Sequence, residues 1–295
     1  MNYAPHKAFI APALPTAEPG RLLFGVLAIE LLYEVTLEVL SAGAELISPA
    51  FAESFVYGDT PLGLLLNLAS FIFFALWVLL IAGRQHGRGL ASLIGPLPPA
   101  VRQFAITLPA VALVFLAIEV ARPAFATPMV SETRDVGQWL MLLPLGLAAL
   151  LIQTGSEEIM YRGYVQQQLA ARFTSPLVWM VLPNLLFASA HWTSGADLME
   201  NGQYLIWTFL FGLFASDLTA RSGTLGPAIA FHLANNAYAF LFFGEAGGPN
   251  SGLALWLFPY EGEPPVPDML ITSPLLTELV ILVMMWLAAR VALRR

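Results

Sequence analysis

The chain has 295 residues, 58% of them hydrophobic and only 11% charged, with a formal net charge of −7 and no cysteine. Soluble domains average about 25% charged residues, so a chain this apolar points to a bilayer rather than water as its main solvent. The absence of cysteine excludes disulfides, thiolate metal sites and cysteine nucleophiles, and 13 singly scattered basic residues exclude a basic nucleic-acid surface.

The opening stretch, MNYAPHKAFIAPALPTAEPG, lacks the basic-then-apolar build of a cleavable signal and is expected to belong to the mature protein. Eight apolar segments follow, near 22–47, 61–83, 104–121, 137–156, 176–192, 203–220, 225–243 and 272–292, each long enough to span a bilayer as a helix. They predict an all-α, polytopic membrane protein that is one transmembrane domain over residues 1–295, without an internal repeat. The pieces near 122–136 and 244–270 are polar or rich in Gly and Pro, and the second predicts a loop with an interfacial aromatic patch. If each segment crosses once and the N-terminus is cytoplasmic, every Lys and Arg except Arg122 and Arg134 falls on the cytoplasmic side. Both termini are therefore expected in the cytoplasm.

Several polar residues need a reason within these segments. Glu30, Glu34 and Glu38 step by four and form one stripe on a helix. That stripe is either a polar face at the interface or in the bundle, or the wall of a water-filled cavity. His6 and His86 lie in predicted polar ends and are expected to be solvated. Trp192 and Trp256 read as anchors at the membrane interface, and Asn235 and Asp217 as partners of hydrogen bonds inside the bundle.

The stretch GSEEIMYRGY, Gly155 to Tyr164, places two acids and an arginine directly behind the apolar run WLMLLPLGLAALLIQT. A charge in hydrocarbon costs roughly 2.5–3.5 kcal/mol even on lenient insertion scales. Helical phase divides the group. Glu158 and Arg162 are four apart, in the favourable order of acid before base, and can pair. Glu157 is turned about 100° from Glu158 and is left free to act as a general base. Two further groups lie on later segments: FASAH, Phe187 to His191, and HLANN, His232 to Asn236, each with its end residues on one helix face. The turn TSP, Thr174 to Pro176, separates helices four and five, with Glu157 17 residues before Thr174 and His191 17 after it. In an antiparallel hairpin the two would sit at one level, although 17 helical residues rise about 25 Å and would require helix four to tilt or to project from the bilayer.

These three groups resemble the motifs E-E-x-x-x-R, F-x-x-x-H and H-x-x-x-N of the CPBP family, the CAAX proteases and bacteriocin-processing enzymes also called Abi proteins. EEIMYR, FASAH and HLANN occur in that order on successive predicted spans, within about residues 140–243. The resemblance implies a glutamate intramembrane endopeptidase, a CAAX prenyl protease-like hydrolase, with its catalytic core over 137–243 on helices four to seven. On this chain it implies that Glu157 and His191 activate a water and that His232 and Asn236 hold the developing oxyanion. Glu158, Arg162 and Phe187 would support them. No cofactor is implied, and the expected partners are membrane lipid and a peptide or membrane-protein substrate.

Three other readings compete with it. Two histidines and two carboxylates form a potential zinc protease site, against which stands the lack of H-E-x-x-H. Ser156 and Ser194 lie near the motifs, but TGSEE is not a nucleophile elbow. Intramembrane acids and histidines also mark transporters, scaffolds and bacteriocin-immunity proteins that cleave nothing.

Overall fold

The computed structural model describes residues 3–121, 130–259, 267 and 269–295. A helix occupies each of the eight apolar segments, and short elements join them. After a first helix α1 (Ala4–Ile10) and a 3-10 turn (Ala11–Thr16) come α2 (Pro19–Glu45), α3 (Pro49–Tyr57), α4 (Pro61–His86), α5 (Leu90–Ile94) and α6 (Leu97–Ala121). Next are β1 (Glu132–Thr133), α7 (Val136–Glu158), a π-helical stretch (Ile159–Gln166), α8 (Gln167–Arg172), α9 (Pro176–Ser189), α10 (Leu198–Ser222) and α11 (Gly226–Leu241). The strands β2 (Phe243–Glu245) and β3 (Trp256–Phe258) and the helix α12 (Ser273–Leu293) complete the chain.

Local chemistry sets the boundaries. α4 opens on Thr60, whose hydroxyl accepts from the Gly63 amide, followed by Pro61, and it closes on Gly87 at φ +63°. Asp135, Asp197 and Thr272 cap α7, α10 and α12 in the same way. Among the described residues, four helices are long and apolar enough to cross a membrane: α4, α6, the continuous 37-residue helix Val136–Arg172, and α12. α2 and α10 are as long but carry charged residues, and α9 and α11 are shorter.

The helices close around an interior site. α7 packs against α4 and α11, α11 against α6, α6 against α12, and α10 against α9 and α12, while α9 touches the π-helical stretch. At 37 residues, Val136–Arg172 extends about 55 Å, well beyond a hydrocarbon core of about 30 Å. The helix carries on past Glu157 to Arg172 before the chain turns into α9.

Two expectations are corrected. The 244–270 piece is not all loop: β3 pairs antiparallel with β1 and parallel with β2, and Trp256 stacks on Phe243 at 5.4 Å within this sheet. Residues 260–266 and 268 of that piece, and 122–129 of the earlier one, lie outside the described residues. His6 and His86 are not solvated either, being only 4% and 7% exposed. The N-terminal segment folds back over the helix ends, so His6 lies 4.6 Å from the Trp179 ring, and His86 bonds the Thr16 carbonyl and, at 3.0 Å, the Tyr164 hydroxyl.

The burial of His6 has a consequence in acid. Desolvation holds its pKa down at about 4, against an ordinary 6.5. The detached segment thus takes up a proton that the docked segment refuses. Docking is unpenalised above pH 6.5 and weakens as pH falls from 6.5 towards 4, by about 2 kcal/mol at pH 5. Hydrogen exchange at residues 4–16 is expected to speed up between pH 7 and pH 5, and His6→Phe is expected to remove most of that change.

Candidate active site

The last two residues of α7 bring the acids to the centre of the bundle, where helical phase sends them different ways. Glu158 is fully buried, and its Oε1 accepts from Arg162 Nη1 at 3.0 Å and from His232 Nδ1 at 2.9 Å. Glu157 Oε2 stands 3.5 Å from Nε2 of the same imidazole and accepts no hydrogen bond among the described residues. One histidine from α11 therefore bridges both carboxylates. Directly after Glu158 the backbone widens to i→i+5 bonding over Ile159–Gln166, with every residue of that stretch buried. π-helical geometry of this kind is frequent at functional sites.

Arg162 is enclosed on all sides. Its Nη2 donates to Asn184 Oδ1 at 3.0 Å, and its guanidinium lies 4.7 Å from the centre of the Phe187 ring. Asn184 in turn donates to Ser216 Oγ at 2.8 Å and to the Met180 carbonyl. Gly212 of α10 allows this approach, since a Cβ there would come 2.4 Å from Asn184 Oδ1 and 2.9 Å from Arg162 Nη2. Gly212→Ala is expected to cost about 1–3 kcal/mol by overpacking, read as a lowered thermal midpoint of the purified protein.

His191 sits in the turn just past the end of α9. Its Nδ1 is 2.8 Å from the Phe187 carbonyl, and a carbonyl only accepts, so Nδ1 carries the hydrogen and Nε2 of the neutral ring keeps its lone pair. The Phe187 and His191 rings meet edge to face at 4.7 Å. Asn236, one turn after His232 on α11, donates to Gln153 Oε1 at 2.9 Å, and Asn235 donates to Asn236 Oδ1 at 3.1 Å.

A cavity of about 760 Å³ gathers these groups: Glu157, Phe187, His191, His232 and Asn236 all line it. Glu158 and Arg162 stand behind its wall. Gln153 and Asn184 hold site residues although neither belongs to a motif. Each is a lone amide in an apolar run, and Gln153 lies one turn before Glu157 on the same face. Of the other polar candidates, Asn235 lines the cavity, whereas Asp217 pairs with Arg221 and accepts from Tyr3 and Trp286. Ser156 Oγ donates to the Ile152 carbonyl in its own helix, which is no arrangement for a nucleophile. Among the described residues no three His, Asp or Glu side chains converge so as to hold a metal ion. The zinc reading fails to gain a ligand set here, because Glu158 Oε1 is already taken by Arg162 and His232.

Residues 138–238 match the family described as Rce1-like, type II CAAX prenyl endopeptidase. The uncharacterised protein YyaK of Bacillus subtilis (strain 168) is 25% identical over 123 residues, which is 40% of this chain and 40% of that relative. No solved structure matches the chain.

Proposed function

We propose, from the premise that residues 138–238 form an Rce1-like CAAX-protease domain, that this protein is an intramembrane endopeptidase of the glutamic type. It hydrolyses a peptide bond of a peptide or membrane-protein substrate with a water that Glu157 activates. The single observation that carries the reading is the 760 Å³ cavity shared by an unbonded carboxylate oxygen, two imidazoles and a side-chain amide. Its catalytic unit falls within 137–243 of one transmembrane domain over 1–295, with the helices of all eight apolar segments crossing and both termini in the cytoplasm.

The chemistry follows from the hydrogen-bond directions. Glu157, with His191 Nε2 as the second acceptor, takes a proton from water while the oxygen attacks the scissile carbonyl carbon. Glu158, neutralised by Arg162, accepts the Nδ1 hydrogen of His232 and so keeps that ring's Nε2 turned to the cavity. The oxyanion role calls for a hydrogen on Nε2 as well, and that nitrogen stands 3.5 Å from Glu157 Oε2. Once Glu157 has gained the proton from water, the Nε2 hydrogen is free for the tetrahedral oxygen, with Asn236 Nδ2 as the second donor. Glu157 then returns its proton to the departing amine, leaving a new carboxylic acid and a new amine, between which the last proton passes to give carboxylate and ammonium.

Asn236→Ala is expected to lower kcat by about 10²–10³ with little change in KM, as for other lost oxyanion donors. Steady-state hydrolysis of an internally quenched peptide by protein in proteoliposomes checks this. The competing reading is a scaffold or transporter built on the same polar interior. It predicts that neither wild type nor Glu157→Gln cleaves any peptide, and that both support the same phenotype.

A further inference from the structure

The cavity has an acidic lining. Glu30 and Glu34 of α2 and Glu278 of α12 line it, together with Glu157, and no Lys or Arg side chain does. α2 packs on α3 and α4, and α12 on α6 and α10, so the acids come from two separately anchored walls of one space. Glu30 and Glu34 are four apart, a spacing at which like charges repel along a helix. Among the described residues no ion pair offsets Glu30, Glu34 or Glu278. Bundles normally pair such acids or turn them to water or a ligand.

A second feature points to an incoming group. Tyr33, between the two glutamates in sequence, also lines the cavity and is only 7% exposed, yet its hydroxyl has no hydrogen-bond partner among the described residues. Its polar neighbour Ser70 donates its own hydroxyl hydrogen to the Asn67 carbonyl. Phe71 and Phe74 hold the Tyr33 ring in place, at 5.5 Å and 4.8 Å between centroids. An aromatic hydroxyl and paired carboxylates on one wall suit a long aliphatic side chain ending in a cation, with the stem on the rings and the head among the oxygens.

We propose that Glu30, Glu34 and Glu278 form a specificity subsite for a lysine or arginine side chain of the substrate, close to the bond attacked by the water that Glu157 activates. This deepens the peptidase reading and rests on it. Uncompensated acids reject an acidic residue and leave a neutral one with unmatched charge, so selectivity comes from both attraction and repulsion.

The test uses full-length protein in proteoliposomes and a set of internally quenched peptides, identical except for one residue set in turn to Lys, Arg, Gln or Glu at each position flanking the scissile bond. Wild type is expected to cleave the Lys and Arg peptides of one position about tenfold faster in kcat/KM than the Gln peptide, and the Glu peptide slowest. Glu30→Gln with Glu34→Gln should bring Lys and Gln within about twofold, and Glu34→Lys should favour the Glu peptide, each variant being first matched to wild type in thermal midpoint. Cleavage with no charge preference at any position overturns the subsite while leaving the peptidase reading intact. If wild type cleaves none of the peptides, fluorescence anisotropy of the labelled Lys and Gln peptides decides the subsite alone. Tighter Lys binding that is lost in Glu34→Lys then upholds it without hydrolysis, and equal binding overturns it.

Discussion

Glu157→Gln is expected to slow peptide hydrolysis by about 10³–10⁴, at the upper end of what general base catalysis contributes, while the thermal midpoint stays near that of wild type. The change is nearly isosteric. It removes the negative charge beside His232 Nε2 and the carboxylate that takes the proton from water in the proposed reaction. Glu157 Oε2 accepts no protein hydrogen bond among the described residues, so little fold stability depends on its charge. A group whose loss hurts chemistry and spares stability is what separates a general base from a structural acid. Measuring both quantities on one preparation checks the prediction.

The second large effect runs the other way. Arg162→Met is expected to destabilise the protein by about 3–5 kcal/mol, because it leaves the fully buried Glu158 without its countercharge. Asn184 loses its charged donor at the same time, and the Phe187 ring loses the cation over its face. Adding Glu158→Gln should recover much of that stability, since the uncompensated charge is then gone. Activity should not return with it, because a glutamine at position 158 no longer fixes the Nδ1 hydrogen of His232 by charge. Chemical or thermal unfolding of both variants, set beside their turnover, distinguishes the two roles.

The contrast between neighbouring glutamates was legible in the sequence because it depends on helical phase alone. Glu158 and Arg162 satisfy an i,i+4 rule that needs no tertiary structure, and α7 is helical through both acids. The start of α9 was legible for a similar reason: the turn Thr174 to Pro176 is a local signal. The joining of Glu158 to His232 was not, since those residues are 74 apart and meet through the packing of α7 on α11. Gln153 and Asn184 gave no periodic signal, each being one amide among apolar neighbours, and their partners come from other helices.

Where local composition was the only guide, it misled. His6 lies in a proline-rich stretch and His86 among polar residues, yet the N-terminal segment covers the helix ends and buries both. The strands β2 and β3 are three residues each, too short for an alternating pattern to stand out from the Gly- and Pro-rich chain around them. The π-helical stretch after Glu158 is likewise a product of tertiary packing, formed where Arg162 and its buried neighbours are held against α9 and α10.

The stripe at Glu30, Glu34 and Glu38 was open to two readings, and the cavity separates its members. Glu30 and Glu34 line it, whereas Glu38 does not. Glu30 and Glu34 of α2 thus share one space with Glu157 of α7 and with His232 and Asn236 of α11.

The central claim is that Glu157 is the base of a peptide-cleaving site. The most direct measurement compares the new N-termini of membrane and membrane-linked proteins in cells that carry either wild type or Glu157→Gln at equal levels. The account predicts at least one internal N-terminus that is present with wild type and absent with the variant, with the uncut protein accumulating in its place. Identical sets of termini, with the variant matching wild type in every cellular property, would contradict it.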